Sequence, residues 1–141
     1  MIAFTIPRVV PCARPRATIA RHPKTKRPLL NKDGQPFIRV YTDPRTEMFE
    51  REVRLIAGAA IRQPLNGYWA ARVKVYTNTK RVMDLDNIVK AVIDGIVATG
   101  KVPDDSRLWM YTEISRALTD GQERIEVELM EYEPRREGAL V

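Results

Sequence analysis

YWAARVKVYTNT, residues Tyr68 to Thr79, leads into RVMDLDNIVKAVIDGIVATGKVPDD, residues Arg81 to Asp105, and these two stretches decide the fold. The first alternates. Trp69, Ala71, Val73 and Val75 fall on one side and Arg72 and Lys74 on the other, the pattern of a half-buried strand. The second changes period. At about 100° per residue from Asp86, Lys90 falls near 40°, Asp94 near 80° and Asn87 near 100°. Leu85, Ile88, Val89, Val92, Ile93 and Ile96 gather opposite. The spacing predicts a helix from about Asp86 to about Ala98, closed by Gly100, with an apolar face for the core and a polar face of Asp86, Asn87, Lys90 and Asp94. Asp84 stands at the strand-to-helix junction.

Working outward, Ile2 to Ile6 reads as a short first strand and FIRVYT, Phe37 to Thr42, as another. Between them Pro7 to Pro36 is rich in Pro, Arg and Lys. It reads as a long basic arm, with a hairpin turn at Lys32-Asp33-Gly34 as one form it can take. Asp43 and Pro44 suit the cap and first position of a helix, with Met48, Val53, Leu55, Ile56, Ala59 and Ala60 as its buried stripe and Pro64 as its stop. Two strands are expected at Arg107 to Ala117 and Glu123 to Glu133, joined as a hairpin through Asp120-Gly121. The tail from Pro134 to Val141 is expected to fray. These elements predict one α+β domain over residues 1–141, a mixed sheet of about five strands with two main helices packed on it.

Composition narrows the chemistry. Cys12 is the only cysteine and His22 the only histidine, which leaves no means for an internal disulfide, a multi-cysteine metal site or a histidine relay. Neither residue is expected to have a chemical role. No apolar run approaches a membrane span, and MIAFTIPR lacks the features of a secretory leader, so a cytoplasmic protein is expected. The net charge of +6 is uneven: residues 1–45 hold ten Lys or Arg against Asp33 and Asp43 alone. A basic arm on a near-neutral body suits a polyanionic partner. Arg14, Arg16, Arg21, Lys24, Lys26, Arg27 and Lys32 are its candidate phosphate contacts. Arg72 and Lys74 either extend that patch or belong to a solvated sheet face. Trp69 and Trp109 are expected to pack in the core or at a subunit interface.

Asp84, Asp86, Asp94, Asp104 and Asp105 crowd one stretch of this basic chain. Helix caps and i, i+4 charge pairing account for part of that. Asp105 adds more. The helix carries the chain about 20 Å from Asp86, and the connection from Gly100 spans a comparable distance when extended. Asp105 can therefore return to Asp84 and Asp86, or reach a second subunit. Three carboxylates drawn together repel unless a cation joins them. All-oxygen ligands favour Mg²⁺, with Mn²⁺ as a substitute, and phosphodiester hydrolysis beside the basic arm, with Lys90 placed to hold a phosphate oxygen or orient water.

Asp84-Leu85-Asp86-Asn87, Lys90 and Asp94, followed after a short loop by Asp104-Asp105, resemble the RusA-like Holliday junction resolvases, the crossover junction endodeoxyribonucleases. Arg14-Pro15-Arg16 and Tyr41-Thr42 with Pro44 and Thr46 extend the resemblance over most of residues 1–132. It implies a homodimeric, Mg²⁺-dependent enzyme of bacterial, phage or prophage origin that nicks opposed strands of a four-way DNA junction. It also implies catalytic, metal-holding carboxylates at Asp84, Asp86 and Asp105, an assisting Lys90, and supporting positions at Asn87, Asp94 and Asp104. Gly95 and Pro103 depart from the family pattern, and the basic arm is longer than in compact members. Two other readings fit the residues: a non-catalytic DNA-binding accessory protein, and a different metal-dependent phosphohydrolase.

Overall fold

The computed structural model describes residues 1–138, so the end of the expected frayed tail lies outside the described residues. Its centre is the alternating stretch, now β4 (Trp69–Thr77). Trp69, Ala71, Val73 and Val75 are buried as expected, and Arg72, Lys74 and Tyr76 line the open face. Around it lie β1 (Ile2–Ile6), β5 (Leu108–Leu118) and β6 (Arg124–Glu131), in the order β1-β6-β4-β5. The helices are α1 (Pro44–Ala60) and α2 (Leu85–Val97).

The expected hairpin of the last two strands does not form. β5 pairs parallel to β4, while β6 pairs antiparallel to β4 on its other edge and to β1 beyond. The Asp120-Gly121 turn therefore steps over the end of β4. Thr119 N donates to Thr77 O at 2.9 Å, Asn78 N to Glu123 at 2.7 Å, and Arg81 clamps Glu123 with two 2.7 Å bonds. α2 is the crossover that a parallel β4–β5 pair requires.

Both helices are capped as the residues predict. Asp43 accepts from Arg45 N at 2.8 Å, and Asp84 from Asn87 N at 3.2 Å, so α2 starts one residue earlier than expected. No basic residue sits in the last turn of α1; Lys101 supplies one from across the fold, donating to Gly58 O at 2.6 Å and Ile61 O at 3.0 Å. The buried stripe of α1 differs from expectation. Thr46, Phe49, Val53 and Ala57 face inward at i, i+3, i+7, i+11 spacing, while Met48 (68% exposed) and Leu55 (75%) face out. The two helices touch at Gly95, where a Cβ would lie 2.7 Å from Val53 Cβ and 2.8 Å from Glu50 O. The departure from the family pattern is thus a close-approach point.

The basic arm also differs. Val9 and Cys12 are buried, and Ala13 N donates to Thr46 Oγ1 at 3.2 Å, so the segment before Arg14 belongs to the body. Beyond it, β2 (Arg16–Ile19) pairs antiparallel with β3 (Ile38–Tyr41) as a separate ribbon. Between these strands the chain folds back twice, with Leu29 N donating to Ala20 O and Phe37 N to Leu29 O. The turn at Asn31–Gln35 carries Gly34 at φ 76°, a left-handed conformation that glycine adopts without a Cβ penalty. The α+β class and the two packed helices stand. The sheet has four strands rather than about five, with the remaining two in the ribbon.

Candidate active site

α2 presents its polar face beside the start of β5. Asp84 caps the helix, Asp86 lies in its first turn and Lys90 one turn on; all three are exposed. The chain returns through Val102 and Pro103 to a single 3₁₀ turn, Asp105–Arg107, capped by Asp104 through Ser106 N at 3.1 Å and the Ser106 hydroxyl. Trp69 Nε1 reaches Asp104 O at 3.4 Å, tying the turn to the first residue of β4.

Lys90 joins the two segments. Its Nζ lies 2.8 Å from Asp105 Oδ2 and 2.9 Å from Asp94 Oδ1. These bonds push the ammonium pKa up, the one to Asp105 most, and the same contact holds the Asp105 carboxyl below the usual carboxylate range. Lys90 is therefore a fixed cation, unsuited to act as a base. On the other flank Arg14 Nε donates to Asn87 Oδ1 at 3.1 Å. A small pocket follows, lined by Arg14, Thr46, Glu50, Asn87, Lys90 and Asp94. Burial, then Asp94 and Glu47, raise the pKa of Glu50.

Asp105, Lys90, Asp94, Asn87 and Arg14 thus form one connected surface. Among the described residues no group of three or more His, Cys, Asp or Glu side chains is disposed to hold a metal ion. Asp84, Asp86 and Asp105 do not converge on one point; an ammonium, the counter-charge at hand, takes Asp105. The donor set still suits a hard divalent cation. It offers only oxygens, it is open to solvent, and among the described residues Asp86 has no hydrogen-bond or ion-pair partner.

Of the arm cations, Arg14 alone reaches this surface through a hydrogen bond. Arg16 pairs with Tyr41 across the ribbon, and Arg21, Lys24, Lys26, Arg27 and Lys32 are exposed along it. Arg72 belongs to the open sheet face, 3.0 Å from Glu113 and 3.8 Å from Glu128, and Lys74 lies 4.0 Å from Glu113. Trp69 is core; Trp109 is exposed, its ring centroid 4.5 Å from that of Tyr68. Sequence reasoning missed Glu50 and Tyr111, the latter exposed on β5 within the field of Lys90 and Asp105. Glu50 looks like any surface helix acid until Gly95 brings α1 close, and Tyr111 depends on an irregular strand register.

The family model described as Endodeoxyribonuclease RusA matches residues 20–130. The match takes in β3, α2 and the Asp104-Asp105 turn, and begins after Arg14, Arg16 and β2. No curated protein matches the chain. No helix among the described residues is long and apolar enough to cross a membrane. Spanning most of the chain and all the acidic positions around Lys90, the match establishes that this protein belongs to the RusA family of endodeoxyribonucleases, hydrolases that act on branched DNA and resolve Holliday junctions with the help of a divalent metal.

Proposed function

We propose that the chain is a Mg²⁺-dependent homodimer that resolves four-way junctions by paired, symmetric nicks in the cytoplasm of a bacterium, as a cellular or phage-borne enzyme. Asp84, Asp86 and Asp105 would hold the ion, with Mn²⁺ able to substitute. The observation that carries this reading is the Lys90–Asp105 contact of 2.8 Å, which draws the acidic turn back beside the helix turn that bears Asp86.

The bound ion supplies charge stabilisation at the phosphate and a more acidic water. The chain supplies the rest. To hold the ion with Asp84 and Asp86, Asp105 would have to turn from Lys90 toward them. Lys90, still an ammonium, then offers its donors to a non-bridging phosphate oxygen, where negative charge grows as water adds and the 3′-oxygen leaves. Asp94 keeps Lys90 from swinging away. Asn87 holds Arg14 above the pocket, where its guanidinium meets the flanking phosphate. The exposed cations of the ribbon, from Arg16 to Lys32, bind the junction arms through their backbones, independently of sequence. Two copies related by a two-fold axis match the symmetry of the junction and explain paired cutting.

The test is an end-labelled synthetic four-way junction incubated with the protein and Mg²⁺, against EDTA and against linear duplex. Symmetric nicks on the junction with Mg²⁺ alone are expected. Binding without nicking under every metal condition would replace this reading with that of an accessory DNA-binding protein.

A further inference from the structure

We infer that β5 is the dimerisation edge, and that a second copy of this chain lays its own β5 antiparallel alongside, joining two four-stranded sheets into one. The inference rests on the homodimer reading above and specifies its interface.

β5 is the outermost strand of the order β1-β6-β4-β5, eleven residues long, with one backbone edge facing away from β4. Natural sheets blunt such an edge with proline, lysine or other charges, bulges or a cover. β5 contains no proline and no lysine, and exposes Trp109, Met110, Tyr111, Ile114 (38%) and Leu118 (54%). Its irregularities lie in the first half, where Trp109 and Thr112 are extra residues against β4; Glu113 to Leu118 pair without a break. The unbroken half, with Ile114, Ala117 and Leu118 among Glu113, Ser115 and Arg116, fits another strand. It does not fit a phosphate backbone, since its one cation, Arg116, is already engaged by Thr77 Oγ1 at 3.0 Å and Thr79 O at 2.9 Å.

The residues also choose a register. A two-fold axis normal to the sheet pairs each side chain with one on the same face. Centring on Glu113 or on Arg116 sets like charges directly opposite each other, which destabilises a sheet. Centring on Ser115 places Ile114 against Arg116 and matches no apolar pair. Centring on Ile114 sets Ile114 against Ile114 of the second copy and Glu113 against Ser115. Past the extra Thr112, Arg116 then faces Tyr111. Both lie on the helix-bearing side, opposite Val75 and Ala71 of β4, so guanidinium and ring can stack.

This edge leads straight out of the site. Asp105 lies in the turn that feeds β5, so pairing at Ile114 fixes the two acidic turns about one axis.

Ile114→Cys tests it directly. Directly opposed residues of an antiparallel pair lie about 4.5–5.5 Å apart at Cα, within disulfide reach. Mild oxidation should give a covalent dimer from Ile114→Cys and none from wild type, whose Cys12 is buried with its thiol pKa pushed up to about 11. Leu55→Cys, exposed on α1, should give none. Ile114→Lys should weaken self-association at least about 100-fold by sedimentation, with an unchanged far-ultraviolet spectrum. A dimeric wild type whose Ile114→Cys variant stays uncrosslinked would overturn the inference, as would a wild type that is monomeric throughout the micromolar range. If Ile114→Lys misfolds, the cysteine result decides. Junction cleavage by wild type is scored separately, so Mg²⁺-dependent nicking without the crosslink discards the interface and keeps the endonuclease.

Discussion

The body and the ribbon are built from similar material and handle it in opposite ways. In the body, alternating β4 buries one face under two helices, and the charges of the other face are paired: Arg72 and Lys74 with Glu113. In the ribbon, Ala17, Ile19, Ile38 and Val40 share one face and Arg16, Thr18, Arg39 and Tyr41 the other, yet every residue of both strands is exposed. A two-stranded ribbon is marginal by itself. Ile38 is 73% exposed and Val40 68%, so folding gains little from burying them. The contrast separates two tasks: the body fixes the acidic site in place, and the ribbon spends its residues on contacts still to be made.

The sharpest way to break that contrast is Asp86→Asn. It should lower nicking by about 10³-fold and leave junction affinity almost unchanged, as read by single-turnover cleavage beside a mobility-shift titration. Equal losses in both would mean that the body also carries the binding. Next comes the helix contact. Gly95→Leu should overpack α1 against α2 and cost about 1–3 kcal/mol in urea unfolding, whereas Val40→Ala in the ribbon should cost almost nothing. A smaller effect tests the ribbon itself. Replacing Lys24, Lys26 and Arg27 together by alanine should reduce the slope of log affinity against log salt by about 0.9 per lost phosphate contact, with no change in thermal midpoint. The smallest is the acid limb. Arg81 holds the Glu123 pKa down to about 2 from 4.5, so the pair's stabilisation is complete above pH 4.5 and fades as the pH falls toward 2. Glu123→Gln should flatten that part of the stability profile, measured by denaturant titration at pH 7, 4 and 3.

The same contrast explains what the sequence could tell. β4 and α2 were legible because each carries a clean period, two and 3.6, and because Asp84 and Gly100 mark the ends of the helix. The return of Asp105 to the start of α2 was argued from the commensurate lengths of the helix and its return loop, but the partner expected was the pair Asp84 and Asp86, and the side chain it meets is Lys90. The partner of β5 was not. Asp120-Gly121 is an ordinary hairpin signal, and what defeats it is the clamp of Arg81 and Asn78 on Glu123, some forty positions away. The stripe of α1 was misread because Met48 and Leu55 are as apolar as Phe49 and Val53; only the Gly95 contact tells which pair faces α2. Half of the ribbon was legible, since Phe37 to Thr42 reads as a strand and holds β3; β2 was lost in the Pro- and Arg-rich arm because its residues are not sorted by burial at all.

The loop bearing Asp105 is pinned at two points that precede it. Upstream, Lys101 is anchored to the carbonyls of Gly58 and Ile61, and next to Asp105 itself, Asp104 O takes the indole N–H of Trp69. The Asp105 side chain is exposed and takes no part in those pins. Under the proposed chemistry, trading the ammonium of Lys90 for a metal then needs a rotamer change, a picosecond-to-nanosecond event. The slower event would then be dehydration of the ion, which Mg²⁺ undergoes reluctantly.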